Sequence, residues 1–411
     1  MHPWDKDHWL PGVLSTEQIQ KLIDNVYIDG VNNFEDAADY SSFDLFLSDK
    51  GYRMIQGSIK PCGDPSEPYI NFLKNESFAE PLLPDEDGCF CLKANECYVF
   101  QLKEELKTGK LATSNIFGMG TAKSSIGRVD VIARLLVDGM RQYEYFDSSR
   151  LNNSTGNMFL EIIPISFNIR VKPNTSLSQL RLFYGDPDES IIIDKNFIKG
   201  IILESKEGDG FLSVEISNTQ ISELDVVAFR ASVPKKENET YIDLWKKNTV
   251  EEKPDPCDYW CFDKADDSGR FELKNGSFYL LRSKERIKLP SRIAVYARPM
   301  DETLGEMRIH YAGFAHPFFG DERNDDKVGT PLIFEVRAHN VNVNLDDGER
   351  LARMVFYRMS EQAIKKEKKD HDKPDNYKYD NQELDLSKYF GEWPDKLRYH
   401  PDQSGKVEKI K

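Results

Sequence analysis

Residues 159–184 read FLEIIPISFNIRVKPNTSLSQLRLFY, and this stretch decides the fold. Within it, Phe167, Ile169 and Val171 alternate with polar residues. A period of two with one polar face is typical of half-buried antiparallel strands. Pro173-Asn174 then interrupts the alternation and predicts a turn. The stretch therefore predicts a mainly β fold.

A second copy of this pattern lies further along the chain. At an offset of 174, Leu160-Glu161-Ile162 lies over Phe334-Glu335-Val336, and strand, turn and strand follow in register. Upstream, Gly88–Lys93 lies over Gly269–Lys274 at an offset of 181. Because these blocks keep their order, we predict a tandem duplication of a β-rich unit of about 170 residues.

Three segments follow from the repeat. We predict a first domain at residues 1–187, which includes a short N-terminal helix that begins with the capping box of Ser15 and Gln18. The second domain is predicted at residues 188–362. Residues 363–411 are predicted to form a charged C-terminal tail.

The composition indicates which binding partners and which cellular compartment to expect. The chain has 411 residues, with 55 Lys and Arg against 70 Asp and Glu, and a formal net charge of −15. An acidic chain is a poor non-specific ligand for nucleic acid and for anionic membranes, so we expect neither partner. No apolar run is long enough to span a bilayer, and the first residues do not resemble a signal peptide, so a cytoplasmic protein is expected.

The segment Lys123-Ser124-Ser125-Ile126-Gly127-Arg128 carries the chemistry of a phosphate site. Two hydroxyls and backbone N–H groups can donate to phosphate oxygens, while Lys and Arg supply positive charge. The alternative is an ordinary turn before a strand. A second polar group, Tyr379, Gln382 and Lys388 in the tail, could close over a bound anion, or could be a solvated charged segment.

Two further places could hold a planar ring and its catalyst. Residues 309–320 place small residues between His310 and several aromatic side chains, as a flat pocket requires, although a β-bulge would use the same residues. Glu161 and Glu335 occupy equivalent positions in otherwise apolar strands. Each carboxylate either faces water or is buried, and a buried one could act as acid and base near neutral pH.

Taken in order, these blocks resemble the dCTP deaminase family of the dUTPase superfamily, in its longer duplicated form. Residues 41–47 resemble its S-x-D-L-x-L block, and residues 123–128 resemble its S-S-x-x-R phosphate motif. Residues 309–320 resemble its histidine pocket motif, and residues 379–390 resemble its tail. The resemblance extends from Leu10 to about Phe390.

The resemblance implies two tandem dUTPase-like domains, each a β-clip or distorted jelly-roll. It implies deamination of dCTP to dUTP and ammonia by Glu-activated water, without zinc, and with Mg²⁺ bound through the triphosphate. It places Glu161 and Glu335 where the family has its catalytic Glu, and Tyr379, Gln382 and Lys388 in a tail that folds over the triphosphate. Sites of this family lie between neighbouring folds, so a homo-oligomer, trimer or dimer, is expected.

Neither unit carries a full set of family motifs. The first unit has Ile132-Ala133-Arg134 in place of the histidine motif, and the second has Gly305-Glu306-Met307-Arg308 in place of the two serines. We therefore hypothesise one composite site. Its predicted residues are Lys123, Ser124, Ser125 and Arg128 of the first unit, and His310, Ala312, Gly313 and Glu335 of the second. The reverse choice is Glu161 as catalyst, with Asp130 and Arg134 nearby.

Two other functions remain open on the same fold. The first is a dUTPase-like nucleotide diphosphohydrolase, although the acidic G-x-x-D-x-x-Y-R-G block that this activity uses has no good match here. The second is a nucleotide-sensing protein without turnover, because Phe46, His316 and Phe318 replace residues that the family motifs prefer.

Overall fold

The structure is a computed structural model, and it describes residues 2–203, 207–232, 240–245, 253–299, 307–310, 313–321, 328–365 and 382–410. For Arg308 and His310 it describes the backbone alone. We call residues 1–187 the first unit, residues 188–362 the second unit and residues 363–411 the tail.

Strands dominate both units. The first unit contains β1 (Gly12–Val13), β2 (Ile28–Asp29), β3 (Ala38–Asp39), β4 (Ser42–Met54), β5 (Ala79–Pro81), β6 (Phe90–Leu92), β7 (Tyr98–Leu106), β8 (Ile116–Ala122), β9 (Val131–Val137), β10 (Tyr145–Asp147), β11 (Asn157–Pro164), β12 (Asn168–Val171) and β13 (Ser176–Tyr184). The second unit contains β14 (Ile191–Ile192), β15 (Ile202–Leu203), β16 (Phe211–Ser213), β17 (Thr219–Ile221), β18 (Leu224–Val226), β19 (Ala228–Ala231), β20 (Tyr241–Asp243), β21 (Trp260–Asp263), β22 (Phe271–Leu273), β23 (Phe278–Ile287), β24 (Ile293–Pro299), β25 (Met307–His310), β26 (Phe314–Ala315), β27 (Thr330–Ala338), β28 (Val343–Leu345) and β29 (Arg350–Arg358). The tail adds β30 (Leu397–His400) and β31 (Lys406–Lys409).

The helices are short. They are α1 (Pro3–Asp7), α2 (Thr16–Asp24), α3 (Phe34–Ala37), α4 (Tyr69–Leu73), α5 (Thr108–Leu111), α6 (Ser124–Gly127), α7 (Lys195–Ile201) and α8 (Pro256–Tyr259), with 3-10 turns at Ser148–Arg150, Pro187–Ser190 and Pro401–Gln403. The N-terminal helix is confirmed as α2, where Ser15 and Gln18 form the expected capping box. In the described part of the chain, no helix is long and apolar enough to cross a membrane.

The sheet order repeats between the units. In the first unit the strands run β9-β11-β7-β4, and in the second they run β25-β27-β23-β19. Glu161 on β11 pairs with Arg134 on β9, and Glu335 on β27 pairs with His310 on β25. The duplication is therefore present in three dimensions, and the two glutamates hold equivalent sheet positions. The prediction of a mainly β fold is confirmed.

The core joins the two units and the tail. Phe167 of the first unit, Trp260 of the second unit and Phe390 of the tail form a triangle of aromatic rings, with centroids 5.6 to 6.1 Å apart. All three side chains are buried in one continuous apolar cluster. Removal of this apolar surface from water stabilises the contact between the units and anchors the tail.

The end of the tail forms a hairpin that the sequence analysis did not anticipate. Strands β30 and β31 pair with each other, and Lys406 on β31 pairs with Cys261 on β21. The hairpin thus extends a sheet of the second unit beyond the segment that resembles the family tail. Only Leu397 and Val407 of these strands are fully buried apolar residues, so the pattern of alternation there is weak.

Candidate active site

One cavity lies where the two units meet, and the tail borders it. It is lined by Ser124 and Arg128 of the first unit, by Ala297, Ile309, Gly313, Phe314, Ala315, Phe319, Leu332, Ile333, Phe334, Glu335 and Ala352 of the second unit, and by Gln382 of the tail. Its walls are mostly apolar, as suits a planar ring, with a few polar groups among them, as is typical of a small-molecule site.

Glu335 is the carboxylate of this cavity. Strand β27 is flanked by β25 and β23, which leaves Glu335 only 4% exposed. Its Oε2 atom has no hydrogen-bond partner among the described residues. A buried carboxylate oxygen without a partner is costly. The position is therefore better suited to a group that meets a ligand than to one that only stabilises the fold.

Burial controls the charge of Glu335. Loss of water raises its pKa well above the ordinary value of 4.5, the Arg128 guanidinium opposes this shift, and the nearby charge of Asp130 adds to it. A carboxyl group with a raised pKa can both accept and return a proton near neutral pH.

Residues 123–128, the predicted phosphate site of the first unit, lie close to Glu335. Gly127, in the short helix α6, packs directly against the Glu335 carboxyl group: a Cβ atom built there would fall 2.6 Å from the carboxyl carbon. Ser124 lies opposite Gly313, where an added Cβ would be 3.4 Å from the serine Oγ. The two predicted halves are thus brought together, with Ser124 and Arg128 on one side and Gly313 and Glu335 on the other.

The tail closes one side of the cavity. Arg128 donates hydrogen bonds from Nη2 to Oε1 of Gln382 and from Nη1 to the carbonyl oxygen of Asp385, 3.3 Å away. Gln382 in turn donates to the carbonyl oxygen of Pro331 at 2.7 Å. Ser387 donates to the carbonyl oxygen of Ser125 at 2.6 Å. These contacts hold the tail across the boundary between the two units.

An ion-pair cluster fixes the tail on the second unit. Glu383 accepts from Arg286 at 2.7 Å and from Arg282 at 3.1 Å. All three side chains are at most 24% exposed, so solvent screens these pairs less than it screens surface pairs. Glu383 was not predicted as a site residue, because one more acidic residue in a charged tail carries no distinguishing signal.

Three predicted phosphate ligands do not line the cavity. Lys123 forms an ion pair with Asp44. Ser125 is buried, and its Oγ atom has no hydrogen-bond partner in the described residues. Lys388 is also buried, with its Nζ atom 5.7 Å from the centre of the Tyr389 ring.

Asp130 does not lie beside Glu161, where the reverse choice of catalyst would need it. It is fully buried behind Glu335, and its Oδ2 atom accepts hydrogen bonds from Arg337 of the second unit and from Ser166. Asp130 therefore belongs to the ion pair that joins the units behind the cavity. Residue 130 comes soon after α6, and Gly127 of that helix packs against Glu335 of the second unit.

Glu161 holds the sheet position equivalent to that of Glu335, but its carboxyl group is bonded to neighbouring side chains. Its carboxyl group accepts from Arg134 Nε at 2.9 Å, from the Tyr143 hydroxyl at 3.1 Å and from the Ser58 hydroxyl. The side chain has no exposed surface, and it does not line the cavity. Arg134 stands in the sheet position that His310 holds in the second unit, so an ion pair fills the equivalent place.

Three predicted site residues lie wholly or partly outside the described part of the chain. Ala312 and Tyr379 lie outside the described residues, and so does the side chain of His310. The cavity also contains residues that the sequence analysis missed, among them Ala297 and Ala352 on β24 and β29. Small apolar side chains in strands give no chemical signal. Among the described residues, no group of three or more His, Cys, Asp or Glu side chains could hold a metal ion.

Two buried carboxyl groups make the free energy of unfolding depend on pH. Burial raises the pKa of Glu104 to about 7 and that of Asp130 to about 6, from ordinary values of 4.5 and 3.8. At a pH between the ordinary pKa and the raised pKa of such a group, the native state binds more protons than the unfolded state. The free energy of unfolding therefore falls as pH rises. We expect the melting temperature to fall from about pH 5 to about pH 7 at constant ionic strength. Glu104→Gln should flatten this slope, and a melting temperature that rises over the range would contradict the prediction.

Comparison with known proteins relates this geometry to a family. Residues 10–186 match the N-terminal domain model of 2'-deoxycytidine 5'-triphosphate deaminase, and residues 190–390 match the C-terminal domain model. The crystal structure of 2'-deoxycytidine 5'-triphosphate deaminase from Agrobacterium tumefaciens is similar, with a TM-score of 0.72 and 24% identity over 86% of this chain and 99% of that chain. This likeness agrees with two tandem dUTPase-like domains and confirms the predicted fold.

The other comparisons add little. A calcium-binding mutant of Bacteroides uniformis beta-glucuronidase 2 gives a TM-score of 0.16 at 9% identity, over 75% of this chain and 27% of that chain, and carries no argument. No curated protein matches the sequence significantly. The two domain models, however, follow each other along most of the sequence. The chain therefore belongs to the 2'-deoxycytidine 5'-triphosphate deaminase family.

Proposed function

We propose that the protein deaminates dCTP hydrolytically, giving dUTP and ammonia. The observation that carries this proposal is the cavity between the units, where the hydroxyl of Ser124 and the guanidinium of Arg128 face the buried carboxyl group of Glu335. Membership of the family supports the choice of dCTP as substrate.

The proposed chemistry needs one carboxyl group that moves protons. The Glu335 carboxylate takes a proton from water, and the resulting hydroxide forms a bond to C4 of the cytosine ring. The protonated carboxyl then gives its proton to N3, which completes the tetrahedral adduct. Glu335 then takes the proton of the C4 hydroxyl and gives it to the amino group, the C4–N bond breaks, and ammonia leaves a C4 carbonyl. The raised pKa of Glu335 suits both directions of transfer.

The remaining residues would bind and orient the nucleotide. Ser124 and Arg128 would hold the phosphates, with Gln382 of the tail. Mg²⁺ would arrive on the triphosphate, since phosphate oxygens are its preferred ligands, and would lower the charge that an acidic protein must accept. The apolar wall from Gly313 to Ala315 would contact the base.

The test is product analysis with purified protein, dCTP and Mg²⁺. We expect dUTP and ammonia in equal amounts, and unchanged activity after zinc is stripped with a chelator that spares Mg²⁺. Appearance of dUMP and pyrophosphate would instead indicate a diphosphohydrolase. If dCTP is recovered unchanged but raises the melting temperature, the proposal fails and a nucleotide-sensing role replaces it.

A further inference from the structure

Arg181 links the first unit to the wall of the cavity. It lies on β13 and has no exposed surface, yet its guanidinium group reaches into the second unit. Nη1 donates to the carbonyl oxygen of Val295 at 2.8 Å, and Nη2 donates to the carbonyl oxygen of Ala315 at 3.2 Å. Nη2 also lies 3.1 Å from Oγ of Ser41, in the first unit. One side chain thus connects three backbone segments.

The two carbonyl groups belong to one strand pair that borders the cavity. Val295 on β24 is the register partner of Ala315 on β26, and Tyr296 is the partner of Phe314. The guanidinium carbon of Arg181 lies 3.9 Å from the centre of the Phe314 ring. Phe314 and Ala315 also line the cavity. Arg181 therefore contacts the residues of this cavity wall, although it does not itself line the cavity.

The energy of this arrangement argues against a purely structural role. In the described residues, no carboxylate forms an ion pair with Arg181, whose contacts are carbonyl oxygens, a hydroxyl group and an aromatic ring. A buried cation that is not directly paired is costly, and only the more distant charge of Asp39 favours it. An apolar side chain of similar volume would commonly stabilise the fold more. Burial lowers the pKa of Arg181 to about 9, so the group is still protonated at neutral pH.

We propose that Arg181 is a positioning residue, which holds the wall of residues 313–315 at a fixed distance from Ser124 and so shapes the pocket for the pyrimidine ring. This inference rests on the proposed function, because it assumes that the cavity binds the nucleotide. A planar guanidinium group suits this role, because its forked N–H donors can bind two carbonyl oxygens at once while its face packs on an aromatic ring.

The test compares Arg181→Met, which keeps the bulk of the side chain, with Arg181→Lys, which keeps the charge but loses the fork. Arg230→Met is the matched control, because Arg230 is also a shielded arginine, paired with Asp263, but does not line or back the cavity. Each change is made in the wild type and in the inactive Glu335→Gln background. Steady-state kinetics give kcat and KM, calorimetry gives the Kd for dCTP, and melting curves report stability.

We expect Arg181→Met to raise KM and Kd for dCTP at least about tenfold at a temperature where the variant is folded, with a smaller change in kcat. Arg181→Lys should show a smaller rise, and Arg230→Met should lower the melting temperature without changing KM. A purely structural role would lower the melting temperature of Arg181→Met and leave Kd unchanged, and that result would overturn the proposal.

The outcome separates the two proposals. If the wild type binds dCTP without converting it, the proposed function fails, while the Kd of the Arg181 variants still decides the positioning role. If the wild type converts dCTP and Arg181→Met binds it equally well, the positioning role alone fails. Absence of any dCTP binding by the wild type would overturn both.

Discussion

Glu335→Gln is expected to lower kcat for dCTP deamination by roughly 10³- to 10⁴-fold. An amide cannot take a proton from water, so the hydroxide that attacks C4 is no longer formed. The fold should persist, because glutamine has nearly the shape of glutamate, and a neutral amide costs less to bury at this 4% exposed position. Ammonia release measures the loss, and an unchanged or higher melting temperature shows that the variant is folded.

Glu161→Gln is the matched control. This glutamate occupies the equivalent sheet position, but its carboxyl group is bonded to Arg134, Tyr143 and Ser58 and does not line the cavity. We expect its replacement to lower the melting temperature and to leave kcat within a few-fold of the wild type. Full activity of Glu335→Gln together with an inactive, folded Glu161→Gln would reverse the assignment.

Gly127→Ala is expected to reduce kcat by about 100-fold or more with little change in stability. The new methyl group would overlap the Glu335 carboxyl group, since its carbon would fall 2.6 Å from the carboxyl carbon. Gly127 lies in α6 with ordinary helical backbone, so alanine introduces no backbone strain there. We therefore expect the substitution to displace the proposed catalytic group and little else. Measured kcat, KM and melting temperature distinguish displacement from unfolding.

Gly109→Ala provides the control for this change. Gly109 lies in α5, an equally short helix of the first unit, and an added Cβ would meet no atom within 4 Å. We expect normal kcat from Gly109→Ala. Normal activity in Gly127→Ala as well would mean that Glu335 can move away without loss, and would contradict its role as the proton carrier.

The fold was predictable because its signals are local. Alternation at residues 167–171 reports which face of a strand is buried, and β12 (Asn168–Val171) lies there. The repeat then extended the prediction to the second unit without further information. The terminal hairpin was not predictable, because β30 and β31 are short and mostly polar, and they become strands by pairing with each other and with β21.

The candidate site was predictable in its residue types but not in its full arrangement. Lys123–Arg128 and Glu335 carry recognisable chemistry. The histidine motif of the second unit, which Ile132-Ala133-Arg134 replaces in the first, favoured Glu335 over Glu161. The contacts of Asp130 and Arg181 depend on how one unit docks against the other. That docking buries side chains far apart in sequence, and no local pattern reports it.

The two halves of the cavity belong to one polypeptide, which changes what assembling it requires. When complementary halves are carried by separate molecules, the fraction of complete sites falls as the molecules are diluted. Here Arg128 and Glu335 are tethered by the chain between them, so their encounter is intramolecular and is governed by an effective concentration that dilution does not alter. The chain can therefore keep this cavity complete at concentrations where a site shared between separate molecules would come apart.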